Sequence, residues 1–289
     1  EMVKDLMAST TKPVIAFTRV YDPLTEAGRD FQDETGLHYL QGLESTVRAL
    51  NALWFFSSRR KRALPQMPKP AGRAEDTSGD GPGKALAAVD VTPPATSLAE
   101  TPTEAVAAAE AMGFPVALKV VSPKITHKTE VGGVKLDLRN PADVEEAATS
   151  LWAALPDAEI SGFLVQEMVV GVEMLVGARD DPLYGPMMVV GAGGILVELI
   201  NDAAFRLLPL AEGDAEAMLG ELKMARLLDG YRGAKAADKG ALIQAIEGLA
   251  GYFLDHRPWL AEVEINPLMV LEAGNGVHAV DIRPVHRQE

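Results

Sequence analysis

The sequence predicts a mixed α/β (α+β) fold, and three observations predict it. Short apolar runs with strand-like alternation recur, as in 116-VALKVV-121 and 262-EVEINPLMV-270. Between such runs lie stretches with helical spacing, as at Leu43, Val47, Leu50 and Trp54. Glycine-rich punctuation separates the two kinds of element. The chain has 289 residues, 47% hydrophobic and 24% charged, which leaves room for about two domains with sizeable cores.

The opening Glu1-Met2-Val3-Lys4 reads as the end of a helix without its start, so a fragment of a longer polypeptide is expected. Residues 13–19 read as a buried strand, and 43–55 as a helix whose apolar face docks on a sheet. Helix–strand–helix in about 60 residues is too little for a stable α/β domain, which again points to upstream sequence. The basic run Arg59-Arg60-Lys61-Arg62 closes a helix whose carbonyl end attracts cations, and it reads as a solvated terminus. A first domain is therefore set at 1–62. Residues 63–83, rich in Pro, Gly, Asp and Ser, form a linker.

A second unit covers 84–289 and is expected in two subdomains. Helices are expected at 103–112, closed by Gly113, then at 141–155, 214–228 and 238–254. Strands are expected at 114–121, 134–138, 162–170, 173–178, 187–190, 262–271 and 277–283. No internal repeat is visible.

Composition narrows the function. The absence of cysteine excludes disulfides, thiolate catalysis and thiolate zinc sites. A formal charge of −14 argues against nucleic acid as the main partner. No stretch reaches the ~18 uninterrupted apolar residues of a membrane span, and no basic-then-apolar leader opens the chain. A cytoplasmic protein with no membrane partner is expected.

Several residues can carry chemistry. In 116-VALKVV-121, alternation puts Lys119 on a face with small apolar neighbours, where it holds an anion or guards a sheet edge. In the closing hairpin, a four-residue turn at Ala273–Gly276 pairs Glu272 with Val277 and Asn266 with Arg283. Glu264, Asn266 and Asp281 then share a face, an oxygen set suited to Mg²⁺ with phosphates or else a solvated polar face; a one-residue slip, or a bulge at Pro267, would send Asp281 to the other side. Gln166, Glu167 and Glu173 bracket a strand connection that can offer hydrogen bonds to an adenine and a carboxylate to ribose hydroxyls, a spacing without specificity of its own. The stretch 191-GAGGILVEL-199 lacks the Gly-Lys-Ser/Thr of a Walker A loop; its backbone amides can meet phosphate, or it is a tight turn. Arg206 offers a phosphate-binding fork or an exposed charge beside Asp202. His127 lies between Lys124 and Lys128, before the hinge Gly132-Gly133. Its neutral imidazole can attack phosphorus, or it is an idle surface histidine.

Together these residues resemble the ATP-grasp half of ADP-forming acyl-CoA synthetases, relatives of succinyl-CoA synthetase. The resemblance runs through 114-FPVALKVVSPKITHKTEVGGVKLDL-138, 165–210, 226–246, 262-EVEINPLMV-270 and 280-VDIR-283. Residues 1–62, above all 30-DFQDETGLHYLQGLESTVRAL-50, resemble the end of the flavodoxin-like domain that precedes the ATP-grasp in single-chain members. Their wording is most similar to the feruloyl-CoA synthetase branch, a hint at an aromatic acid such as a hydroxycinnamate.

The resemblance implies ATP/ADP and Mg²⁺ as cofactors, with CoA and a carboxylic acid as co-substrates. It implies that Lys119 and Arg206 hold phosphates and that Gln166, Glu167 and Val169 line the adenine. Glu173 would meet the ribose, Glu264, Asn266 and Asp281 the magnesium, and His127 would be a mobile phosphoryl carrier. The family's CoA-binding domain and principal catalytic histidine are expected upstream or on a partner chain, and a homo-oligomer is expected. Two alternatives stay open: an ATP-grasp carboxylate ligase without a phosphohistidine, and a non-catalytic nucleotide-binding regulatory module.

Overall fold

The computed structural model describes residues 2–19, 25–37, 39–59, 65–68, 86, 89, 91–125, 131–155, 159–194 and 202–287. The chain divides into two units, 1–64 and 65–289.

The first unit runs α1 (Met2–Ser9), β1 (Ala16–Thr18), α2 (Glu26–Thr35), β2 (Tyr39–Gln41) and α3 (Leu43–Arg59). β1 and β2 pair in parallel. Sequence reading missed α2, although its caps are legible: Thr25 accepts the Gly28 N–H, and Gly36 closes the helix at φ 69°. The expected docking of α3 on a sheet is corrected. Leu43, Val47 and Trp54 are 56%, 47% and 72% exposed. Strands of three residues shelter only the start of a 17-residue helix, where Thr46 is buried and donates to the Gly42 carbonyl at 2.8 Å.

The second unit contains two antiparallel sheets among the described residues. β3 (Thr96–Ala99), β4 (Val116–Val121), β5 (Val134–Leu138) and β6 (Gly162–Glu167) form the smaller one, in the order β3-β6-β4-β5. α4 (Pro102–Met112) and α5 (Pro141–Ala154) cover one of its faces. Val116, Leu118, Val120, Phe163 and Val165 pack there against Ala105, Ala109, Val144 and Leu151. Thr101 and Asn140 cap the two helices through the N–H groups of Glu104 and Asp143. Lys119 and Gln166 alternate onto the face without helices.

β7 (Val172–Asp181), β8 (Gly185–Ala192), β9 (Ala203–Leu207), β10 (Leu260–Val270), β11 (Val277–Ala279) and β12 (Ile282–His286) form the larger sheet, ordered β11-β10-β7-β8-β9 with β12 also on β10. α6 (Asp214–Glu221), α7 (Ala225–Leu228) and α8 (Lys239–His256) accompany it. Met174, Val176, Met188, Val190, Val263 and Ile265 face Leu242, Ile246, Leu249 and Phe253 in its core. Glu173 and Glu264 alternate onto the opposite face.

Three expectations change here. The helix at 214–228 is broken, because the buried Asp202 carboxylate takes the N–H groups of Lys223 and Met224 at 2.9 and 2.8 Å. The last strand is split into β11 and β12 opposite Pro267, which has no N–H to give to a ladder. β3 and β9 were not expected at all.

Candidate functional site

The site begins with a defect in β10. Ile265 lies opposite Val176 and Leu268 opposite Met174, so Asn266 and Pro267 together face one residue of β7. This is a β-bulge, a device that re-aims a side chain. Asn266 Oδ1 turns to accept the Gly194 N–H at 3.0 Å, just beyond the end of β8.

On the other side of β10 one register holds from Glu262 to Val270, with Ile265 opposite Ile282 and Leu268 opposite Ala279. The expected register is corrected by two residues: Val270, not Glu272, faces Val277, and Glu264, not Asn266, faces Arg283. The cause is a longer turn held by Asp238. Its carboxylate accepts from Gly274 and Gly276 at 2.9 and 3.0 Å and caps α8 through Ala241. The Ala241 N–H first, then the Gly276 N–H, hold that carboxyl below its ordinary range. An even shift by itself preserves the face of a side chain, but the bulge at Asn266 and Pro267 and the break between β11 and β12 interrupt the alternation here. Asp281 now lies beside Asn266, whose N–H donates to the Asp281 carbonyl at 3.0 Å.

The smaller sheet meets this point. Lys119 Nζ donates to the Val280 carbonyl at 3.4 Å, and Gln166 Nε2 reaches the same oxygen at 3.5 Å. Lys119 is half-buried and Gln166 buried. Two donors from one sheet thus converge on the residue preceding Asp281 of the other.

Glu167 Oε2 accepts the Ala95 N–H at 3.3 Å, and the Glu167 N–H returns a bond to the Ala95 carbonyl at 2.9 Å. Val169 is half-buried in the connection to β7. Glu173 is exposed at the start of β7, and its carbonyl accepts the Gly193 N–H at 3.0 Å. Among the described residues no three acidic or histidine side chains form a metal cluster, so a cation held by Glu264 and Asp281 would also need the Asn266 amide oxygen and ligand oxygens. All three donors are hard oxygens, which fits Mg²⁺.

Arg206 is not brought to this group. It shares its strand face with Ala204, in the helix-covered core, and its guanidinium pairs with Glu221 and lies 3.8 Å from Asp214. Its side chain is 9% exposed, so the expected exposed charge beside Asp202 is also corrected. His127 and Lys128 lie outside the described residues. Lys124 pairs with Glu159 at 2.6 Å on the surface. Sequence reasoning missed the Val280 carbonyl, a backbone group that leaves no signal in residue types. It did single out the backbone amides of 191-GAGGILVEL-199, and the Gly194 N–H is the one seen bonded to Asn266.

Residues 80–285 match the family model described as the ATP-grasp domain. The β subunit of acetate–CoA ligase [ADP-forming] II from Pyrococcus furiosus is 36% identical, over 66% of this chain and 83% of that one. Trans-feruloyl-CoA synthase FCS1, from an unknown prokaryotic organism, is 32% identical over 90% of this chain and 39% of its own length. Among solved structures, the dinucleotide-forming acetyl-coenzyme A synthetase 1 of Ca. Korarchaeum cryptofilum is 37% identical. That match has a TM-score of 0.63 and covers 71% of this chain and 90% of that chain. A second structure of it holds coenzyme A and Mg-AMPPCP, with the phosphohistidine segment pointing towards the nucleotide binding site. It matches 82% of this chain and 99% of that chain at a TM-score of 0.59 and 31% identity. The chain spans little more than a quarter of the first curated ligases it matches, 28% and 27% of their lengths.

Proposed function

This chain belongs to the ATP-grasp family, and from that premise we propose that it is the ATP-binding, phosphoryl-transfer portion of an ADP-forming acyl-CoA synthetase. The whole enzyme would convert a carboxylic acid, ATP and CoA into acyl-CoA, ADP and phosphate. One observation carries the reading: Lys119 and Gln166 reach across from the smaller sheet to the Val280 carbonyl, beside the oxygen donors of the β10 hairpin. A cation and an amide on one side and carboxylates on the other suit a magnesium nucleotide held between them.

In this reading Lys119 neutralises phosphate oxygens, while Gln166, Glu167 and Val169 line the adenine and Glu173 accepts from a ribose hydroxyl. Glu264, Asn266 and Asp281 would hold Mg²⁺, which when bound spreads phosphate charge. Positioning and electrostatics supply most of the catalysis in such a transfer. Arg206 is left out of the phosphate set, since its guanidinium is committed to Glu221. The His127 imidazole attacks the γ-phosphorus in line, an N–P bond forms, and the bond to the ADP oxygen breaks. The phosphoryl group then passes to a second histidine and on to the acid, and the CoA thiol displaces phosphate from the acyl phosphate. CoA and the acid are assigned to a CoA-binding domain upstream or on a partner subunit, with residues 1–62 the end of a flavodoxin-like domain and 84–289 the ATP-grasp. The feruloyl-CoA synthase match, which alone of those described spans 90% of this chain, supports an aromatic acid. A cytoplasmic homo-oligomer completes the proposal; no helix among the described residues is long and apolar enough to cross a membrane.

The test is labelling with [γ-³²P]ATP and Mg²⁺. The wild type should hold acid-labile, alkali-stable phosphate, and His127→Ala should hold none. Equal labelling of the variant removes the carrier role.

A further inference from the structure

Two glycines end the run 191-GAGG-194, and the structure separates their reasons. A Cβ on Gly193 would lie 2.6 Å from the backbone carbonyl of Met174, so that glycine is required by the packing of β7 against β8. Gly194 differs. A Cβ there would lie 1.8 Å from Glu173 Oε2 and 3.0 Å from Glu173 Cδ, and the three nearest atoms all belong to that one side chain. The residue sits at φ +59°, and its N–H donates to Asn266 Oδ1 at 3.0 Å. Gly194 is therefore clasped between two candidate ligand-binding groups, one on its N–H and one over its Cα. The Glu173 residue is exposed, and among the described residues no donor engages its carboxylate.

We propose that Gly194 is a positioning residue for nucleotide recognition: its missing side chain lets the Glu173 carboxylate lie over its Cα, and this fixes where that carboxylate meets a ribose hydroxyl. The inference rests on the role given to Glu173 under Proposed function and adds what determines its placement. A methyl group at position 194 cannot share space with Oε2, because a Cβ does not come within 3.0 Å of a non-bonded heavy atom without movement. The obstacle is the far end of a flexible, exposed chain, so Glu173 swings away rather than the sheet breaking. The φ of +59° adds backbone strain to any side chain there, and the loss specific to this contact appears in selectivity for the sugar.

The experiment compares binding of ATP, 2′-deoxy-ATP and 3′-deoxy-ATP to the 289-residue chain, with Mg²⁺, by titration calorimetry. The wild type should prefer ATP over one of the deoxy nucleotides by about tenfold, the size of one hydrogen bond to a charged acceptor. Gly194→Ala should bring that ratio close to one. Glu173→Asp, which keeps the charge but withdraws it from the glycine, should do the same without backbone strain. Gly185→Ala is the control: it imposes a similar φ of +80° with nothing within 4 Å of a new Cβ, and its ratio should match the wild type. A wild type that binds all three nucleotides equally overturns the ribose role of Glu173 and this inference with it. A wild type that discriminates, beside a folded Gly194→Ala or a Glu173→Asp that discriminates equally well, overturns the inference alone.

Discussion

The two sheets of the 65–289 unit are built to the same plan and put to different use. Each carries helices on one face, and among the described residues none on the other. The bare face of the smaller sheet presents donors, Lys119 and Gln166. That of the larger presents oxygen acceptors, Glu173 and Glu264, with Asn266 and Asp281 beside them at the strand break. Neither face is a nucleotide site alone. A bare lysine among apolar neighbours would be an edge guard, and paired carboxylates would be a solvated strand. The proposed nucleotide site lies where Val280 brings the two together. Lys119 and Arg206 make the same point within one residue class. Both are cations on strands, yet one reaches the other sheet and the other is bound into the core side of its own.

The largest effect tests whether each sheet rests on its own core. Phe163 is fully buried in the smaller sheet and meets the Trp152 ring edge-on, with centroids 5.5 Å apart. Phe163→Ala should cost about 3–5 kcal/mol in urea unfolding, the usual loss for a truncated core aromatic. A loss below about 1 kcal/mol would mean that this core is not what holds the donor face in place.

Next comes the contrast of cations. Lys119→Met keeps the bulk and removes the charge. It should lower the rate of phosphoenzyme labelling on the order of 10²-fold, as removing one preorganised donor to transferring phosphate does. Its melting temperature should stay near that of the wild type. Arg206→Met should do the reverse, with nucleotide affinity unchanged and stability lower by about 1–2 kcal/mol. The latter figure allows for solvent reaching Glu221, which is 40% exposed. Should both variants lose nucleotide and neither lose stability, the distinction between the two cations collapses.

Much of this architecture is legible in the sequence, and its failures have physical causes. Helices α4 and α5 stand where Thr101, Gly113 and Asn140 say they should, because capping is a local interaction. β3 and β9 escaped because strands of four and five residues gain their stability from neighbours far along the chain, not from their own pattern. With no strand expected at 203–207, nothing in the sequence reading put Arg206 on one face with Ala204 under the helices. The expected register was off by two residues, and Asp281 stands in the break between β11 and β12, where strand alternation no longer assigns its face. Gln166 and Lys119 were recognisable as candidates, whereas their meeting at a backbone carbonyl depends on how two sheets approach and leaves no mark in residue types.

The smallest effect concerns the residue that set the true register. Asp238 caps α8 and holds the hairpin turn through three backbone N–H groups, those of Ala241, Gly274 and Gly276. Nothing in the hairpin's own sequence announces this tie, which comes from more than thirty residues away. Asp238→Ala should cost about 1 kcal/mol at neutral pH, as loss of an N-cap does. Asp238→Asn keeps an acceptor and should cost less. The bonds to Ala241 and Gly276 hold the folded carboxyl below its ordinary range. The contribution of its charge is therefore complete above the unfolded value of about 4 and fades as pH falls through the folded one. Urea midpoints of wild type and Asp238→Asn should accordingly differ at pH 7 and converge in acid. A gap that widens on acidification would show that the carboxylate gains nothing from these donors, and that the turn owes its length to something else.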